Sequence, residues 1–135
     1  MADEISPGDH AASAPPQVFE SRALGAGAIR RARQLAVAQL AEWGQRNTDD
    51  VALVLSELVT NAVVHAGGAV RIVVSVGDCT RIEVHDEDPR PPRMRAHGSE
   101  PGGLGLRIVE RLSEGWGSRS TATGKVVWAD VPTTE

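Results

Sequence analysis

Apolar residues recur at helical spacing early in this chain and at alternating spacing further on. Ile29, Ala32, Ala36, Leu40 and Trp43 are separated by 3, 4, 4 and 3 residues, one face of a helix, while Arg30, Arg31, Arg33 and Gln34 mostly fall outside it. Gly44 should end that helix. Asn47-Thr48-Asp49-Asp50 then supplies a cap and first-turn acids for a second helix, which runs to about Ala66 and stops at Gly67-Gly68. From Val70 the period becomes two. Val70, Ile72, Val74 and Val76 alternate with Arg71, Val73 and Ser75; Gly77-Asp78 makes a turn; Ile82, Val84 and Asp86 then share one face, with Arg81, Glu83 and His85 on the other. A long loop follows from Glu87 to Gly103. A third helix is predicted from about Leu104 through Leu112. Trp116–Ser120 and Lys125–Val131 read as a closing hairpin across Thr121-Ala122-Thr123-Gly124. Gln17-Val18-Phe19-Glu20 reads as a first strand. Residues 1–16, rich in Ala, Pro, Ser and Asp, read as a disordered tail, leaving 17–135 as one domain. Helices and antiparallel strands in segregated pairs predict an α+β class.

Composition narrows the function. The 135 residues suit a single domain with a real core. The formal net charge of −4 argues against a general nucleic-acid binder, which needs a basic surface to neutralise phosphates. Of the basic residues 13 are Arg and one, Lys125, is Lys. The single cysteine, Cys79, forms no internal disulfide and by itself implies no metal site. No stretch approaches the ~20 apolar residues of a membrane span. The opening residues carry acids and no apolar run, unlike a signal peptide, so the chain reads as cytoplasmic.

Three places carry candidate chemistry. The second helix is apolar almost all round, yet Glu57, Asn61 and His65 stand four residues apart on one face. A buried carboxylate without a partner is costly, so Glu57 either reaches an edge and pairs with an arginine or belongs to a site. His65 alone reads as a helix-end residue. Asp86 closes a strand on the side of Ile82 and Val84, where it either starts a turn with Asp88 and Pro89 or offers a carboxylate to an amino group of a ligand. Gly102-Gly103-Leu104-Gly105-Leu106 precedes a helix, where glycines and free N–H groups suit phosphate, although a plain hinge fits equally. It is not a Walker A loop, because no Lys-Ser/Thr pair follows, and not a dinucleotide fingerprint, because the third glycine is missing.

Taken together, in this order, these segments resemble the GHKL ATPases, the superfamily of gyrase, histidine-kinase and mismatch-repair ATP-binding domains. Glu57 to His65 resembles the N-box, Asp86-Glu87-Asp88-Pro89 the G1 box, residues 87–102 the ATP lid and Gly102 to Leu106 the G2 box. Within the superfamily the chain looks most like the small stand-alone anti-sigma-factor serine kinases of actinobacterial type, which Trp116-Gly117 and Gly124-Lys125-Val126-Val127-Trp128 also fit. The resemblance implies a two-layer sandwich: a mixed, largely antiparallel sheet with helices on one face. It implies ATP and Mg²⁺ as cofactors. Glu57 would be the general base, Asn61 the Mg²⁺ ligand and Asp86 the acceptor for the adenine amino group. Gly103, Leu104, Gly105 and Leu106 would line the phosphates.

Three departures stand out. Asp88 occupies the place of the usual G1 glycine. Val126 and Val127 stand where relatives often carry a threonine beside adenine. The lid is rich in Pro and Arg, including Arg90, Arg93 and Arg95. His10-Ala11-Ala12-Ser13-Ala14-Pro15 has the spacing of a phospho-acceptor motif but no helical hairpin around it, and is read as chance. The resemblance therefore implies a serine/threonine protein kinase that acts as an anti-sigma factor. It would phosphorylate a small anti-sigma-factor antagonist, bind a sigma factor, and form a homodimer. The alternative is a nucleotide-dependent interaction module with little or no catalysis, which the Asp88 departure favours. A third reading is an adaptor whose pocket is vestigial.

Overall fold

Alternation along the strands is what builds the sheet, and the two helical stripes cover one of its faces. The computed structural model describes residues 17–23, 27–66, 70–87 and 105–133. In chain order the elements are β1 (Gln17–Ala23), α1 (Gly27–Glu42), α2 (Thr48–Ala66), β2 (Val70–Val76), β3 (Cys79–Asp86), α3 (Gly105–Leu112), β4 (Gly115–Ser120) and β5 (Lys125–Pro132). The strands lie in the order β1-β2-β3-β5-β4, and every pairing is antiparallel. The tail expected over residues 1–16, with its His10 motif, lies outside the described residues, as do residues 88–104, which take in the loop expected from Glu87 to Gly103 except for Glu87 itself.

Register decides which side chains meet. Ile72 pairs with Val84, which pairs with Val127; Val74 pairs with Ile82, which pairs with Ala129. These rows are buried and pack on Ala32, Ala36 and Leu40 of α1, on Val51, Val54, Leu55, Leu58, Val59 and Ala62 of α2, and on Leu106 and Val109 of α3. Each fully buried Leu, Ile or Val contributes about 1.5–3 kcal/mol. Helix α2 lies between α1 and α3 in this layer and contacts the central strands beneath. The other sheet face is more open and polar. There Arg81 holds Asp130 through two bonds of 2.7 and 2.8 Å, with its guanidinium 4.5 Å above the Trp128 ring. Arg71 reaches Glu20 at 2.8 Å, and His85 Nε2 lies 3.0 Å from Glu83.

The helix ends follow the sequence with one correction. Gly44 has φ +80°, donates to the Ala41 carbonyl, and lets Gln45 donate to the Leu40 carbonyl. That is a Schellman ending, and glycine fills its left-handed position without a Cβ penalty. Asn47 does stand just before α2, but its side chain does not act as the predicted cap. Its amide donates to Thr80 Oγ1 at 3.0 Å and to the Pro132 carbonyl at 2.8 Å. Only its backbone carbonyl serves the helix, accepting from Val51 N–H. Burial explains the difference: Asn47 is drawn under the sheet, where two strand acceptors need a donor.

Candidate functional site

Among the described residues four polar or charged ones are buried, and they form two pairs at opposite ends of β3. At one end Thr80 meets Asn47, a neutral contact completed by a backbone carbonyl. At the other end Asp86 meets Lys125, its cross-strand partner on β5. The Lys125 ammonium lies 3.2 Å from Asp86 Oδ1 and 3.0 Å from Oδ2, and the Asp86 side chain is wholly enclosed. The first pair is accounted for by packing. The second is not, because an ion pair withdrawn from water gains little over apolar residues of the same volume. Asp86 therefore remains in the strand on the core face, as its alternation with Val84 and Ile82 predicted, and does not start a turn.

A glycine sets this corner. In the β4–β5 turn, Thr121 N–H donates to the Gly124 carbonyl and Gly124 N–H to Thr121 Oγ1, both at 2.9 Å. The turn presses on the end of β3 so closely that a Cβ at Gly124 would stand 2.0 Å from the Asp86 carbonyl oxygen. Lys125, the next residue, is thereby delivered to Asp86. Val126 and Val127 are not placed to do this. Val127 pairs with Val84 one step back in the core, and Val126 pairs with His85 on the opposite sheet face.

Helix α2 carries the next two groups. Its buried residues define the flank over the sheet, and Ser56, which accepts a 3.1 Å hydrogen bond from Arg33, marks the flank toward α1. Glu57 and Asn61, one turn apart, fall on the other flank, toward α3. Both are half-buried, and neither side chain makes a hydrogen bond or ion pair among the described residues. The arginine partner weighed for Glu57 is thus absent there. Burial pushes the Glu57 carboxyl above the usual glutamate range, which makes its carboxylate a stronger base. The side chain of His65 lies outside the described residues.

Helix α3 closes the third side. Gly105 is its first residue, and Leu106 is buried in the core, so its side chain is taken up by packing. Gly103 and Leu104 lie outside the described residues. Two of the predicted site residues, Glu57 and Asn61, are thus brought together on one flank; Asp86 lies on the strand beneath, and Gly105 opens the neighbouring helix. No group of three or more metal-ligating His, Cys, Asp or Glu occurs among the described residues. Lys125 was not singled out from the sequence. It was the sole lysine, a signal of sorts, but its pairing with Asp86 spans 39 residues and depends on a register no local pattern reveals.

Residues 20–131 match the family model for the histidine kinase-like ATPase domain. The chain belongs to that family. It is also similar to the solved structure of the RsbU and RsbW domains of Rv1364c from Mycobacterium tuberculosis, at 20% identity and a TM-score of 0.65. That likeness covers 90% of this chain and 33% of the other, so the match spans about a third of that solved chain's length. At this identity the likeness establishes the fold. A second similarity, to the histidine kinase domain of a blue-light activated histidine kinase from Erythrobacter litoralis EL346, has 25% identity and a TM-score of 0.47, covering 64% of this chain and 45% of that one. No curated protein matches the chain. The sheet-and-helix sandwich expected from the N-box, G1 and G2 segments is therefore the family's, and no helix among the described residues is long and apolar enough to cross a membrane.

Proposed function

We propose that this chain binds Mg-ATP and acts as a serine/threonine protein kinase of the anti-sigma-factor type, with a small anti-sigma-factor antagonist as its protein substrate and a sigma factor as its second partner. The observation that carries the reading is the pair Glu57 and Asn61: two half-buried polar side chains without partners among the described residues, on the flank of α2 that faces α3. In a fold of this family such a pair is otherwise a cost to stability. An RsbW domain in the similar mycobacterial structure is consistent with the anti-sigma assignment. Bound ATP would supply the γ-phosphoryl group and Mg²⁺ the neutralising charge. Asn61 would hold the metal through its amide oxygen, Glu57 would take the proton of the substrate hydroxyl, and Asp86 would accept from the base.

The test is calorimetric titration of Mg-ATP into the wild type, Asn61→Ala and Asp86→Asn, followed by transfer of labelled phosphate to a candidate antagonist. Binding by the wild type that is lost in Asp86→Asn and made insensitive to Mg²⁺ in Asn61→Ala supports the site. Phosphotransfer that disappears in Glu57→Ala supports the kinase. Nucleotide binding without phosphotransfer would instead favour the interaction module, the reading to which Asp88 in place of the G1 glycine points. No binding at millimolar ATP would remove both.

A further inference from the structure

The sheet ends in two edges, β1 on one side and β4 on the other. An edge strand offers a row of N–H and C=O groups to any strand that fits, and proteins usually blunt it with proline, a bulge or a short length. β1 has none of these. It runs seven residues, holds no proline, and pairs with β2 residue for residue without a bulge. Its charges decide what it can accept. Glu20 and Arg22 are exposed and stand two residues apart, so both project from the sheet face away from the helices. Glu20 meets Arg71 through Oε2, whereas Arg22 has no hydrogen bond or ion pair among the described residues.

Charges on an edge turn away an unrelated strand. Toward a second copy of the same strand these two do the reverse. A two-fold axis through Ser21, perpendicular to the sheet, pairs Ser21 with its own copy, Glu20 with the partner's Arg22, Arg22 with the partner's Glu20, and Phe19 with the partner's Ala23. Moving the axis to Glu20 or Arg22 sets like charges against each other, and moving it to Phe19 leaves Glu20 opposite Val18, so the Ser21 register is favoured. The other edge has no such complementarity: Arg119 is the only charge on β4, and Gly115 and Gly117 weaken it as a strand.

We propose that two copies of this chain join through β1, antiparallel about Ser21, so that their sheets run on as one with both helical layers on the same side. The family resemblance implies a homodimer and names no surface; the edge strand supplies one, whether or not nucleotide binds. Residues 19–23 of each strand overlap, a small contact, so the dimer forms at about micromolar concentrations or above. Helix α1 lies over β1, while the flank carrying Glu57 and Asn61 faces away from it toward α3, so both candidate sites stay clear of the joint.

Sedimentation equilibrium of the full chain at up to about 1 mM should show monomer and dimer in exchange. Glu20→Arg and Arg22→Glu, each folded by circular dichroism, should each weaken the dimer about tenfold or more, since two symmetric pairs turn repulsive. Mixing the two variants should restore it, because each reversed charge then faces its opposite. In a Cys79→Ser background, Ser21→Cys should cross-link on mild oxidation, its Cα standing about 4.5–5.5 Å from its copy. Val18→Cys should not, being about 20 Å from its copy in this register. A monomer throughout, a mixture no more dimeric than its components, no cross-link at position 21, or equal cross-linking at both positions overturns the inference. Should a charge variant not fold, the cross-linking pair decides. None of these outcomes bears on nucleotide binding, so the two readings fail separately.

Discussion

Replacing Gly124 by alanine should be among the most damaging single-methyl additions in the chain. The added Cβ would stand 2.0 Å from the Asp86 carbonyl oxygen, 2.5 Å from Glu87 Cα and 2.8 Å from the Asp86 carbonyl carbon. Ordinary carbon contacts are about 3.5–4.0 Å, so the turn and the end of β3 must part by about 1 Å or more. All three obstacles are backbone, so no side chain can swing aside. The retreat would strain the last β3–β5 pair, Asp86 with Lys125, and the two hydrogen bonds that close the turn on Thr121. Overpacking of this kind costs about 1–3 kcal/mol, and the backbone contacts place Gly124→Ala at the upper end, about 3 kcal/mol. For a domain of this length that is a fall in Tm of about 10 °C. Gly77→Ala in the β2–β3 turn is the control, because nothing lies within 4 Å of its Cβ. Thermal melts followed by circular dichroism compare the two. If Gly124→Ala melts within about 2 °C of Gly77→Ala, the close approach of the turn to β3 is wrong, and with it the placement of Lys125.

Other expectations follow from the same geometry. Asn47→Ala should lose about 2–3 kcal/mol in urea unfolding, because Thr80 and the Pro132 carbonyl lose a buried donor; a loss under 0.5 kcal/mol would show that water replaces it. The Asp130 carboxyl is held below the usual aspartate value of 3.8 chiefly by its hydrogen bond from Arg81. A depressed folded pKa adds stability that is complete above the unfolded value and is lost as the pH falls through the folded one. The advantage of wild type over Asp130→Asn should therefore persist at pH 7 and fade below about pH 4; because Arg81 is 43% exposed, it should be no more than about 1 kcal/mol. Glu57 shows the opposite sign. Its folded pKa is raised above 4.5 by burial, so the charged form weighs against the fold once the pH exceeds that range. Glu57→Gln should match or exceed wild-type stability at pH 7 and lose that edge near pH 4, while phosphotransfer is abolished; a clear loss of stability at pH 7 would mean that the carboxylate has a structural partner.

Periodicity alone determined most of the secondary structure here. Alternation from Val70 to Asp86 set two strands, the turn between them, and the inward aim of Asp86, because a strand has only two faces. The 3-4-4-3 spacing before Gly44 set α1 and its end. The four-residue spacing of Glu57 and Asn61 put them on one helix flank before any neighbour was known. Each of these is a local property, carried by residues within a few turns of one another. The tertiary structure decided the rest. Sequence placed a cap at Asn47, but burial beneath two strands took its side chain for Thr80 and Pro132. Sequence singled out Val126 and Val127, where relatives often carry a threonine, whereas the β3–β5 register pairs Lys125 with Asp86. Strand order and register join residues tens of positions apart, through backbone pairing that any sequence can make and only the packed core selects.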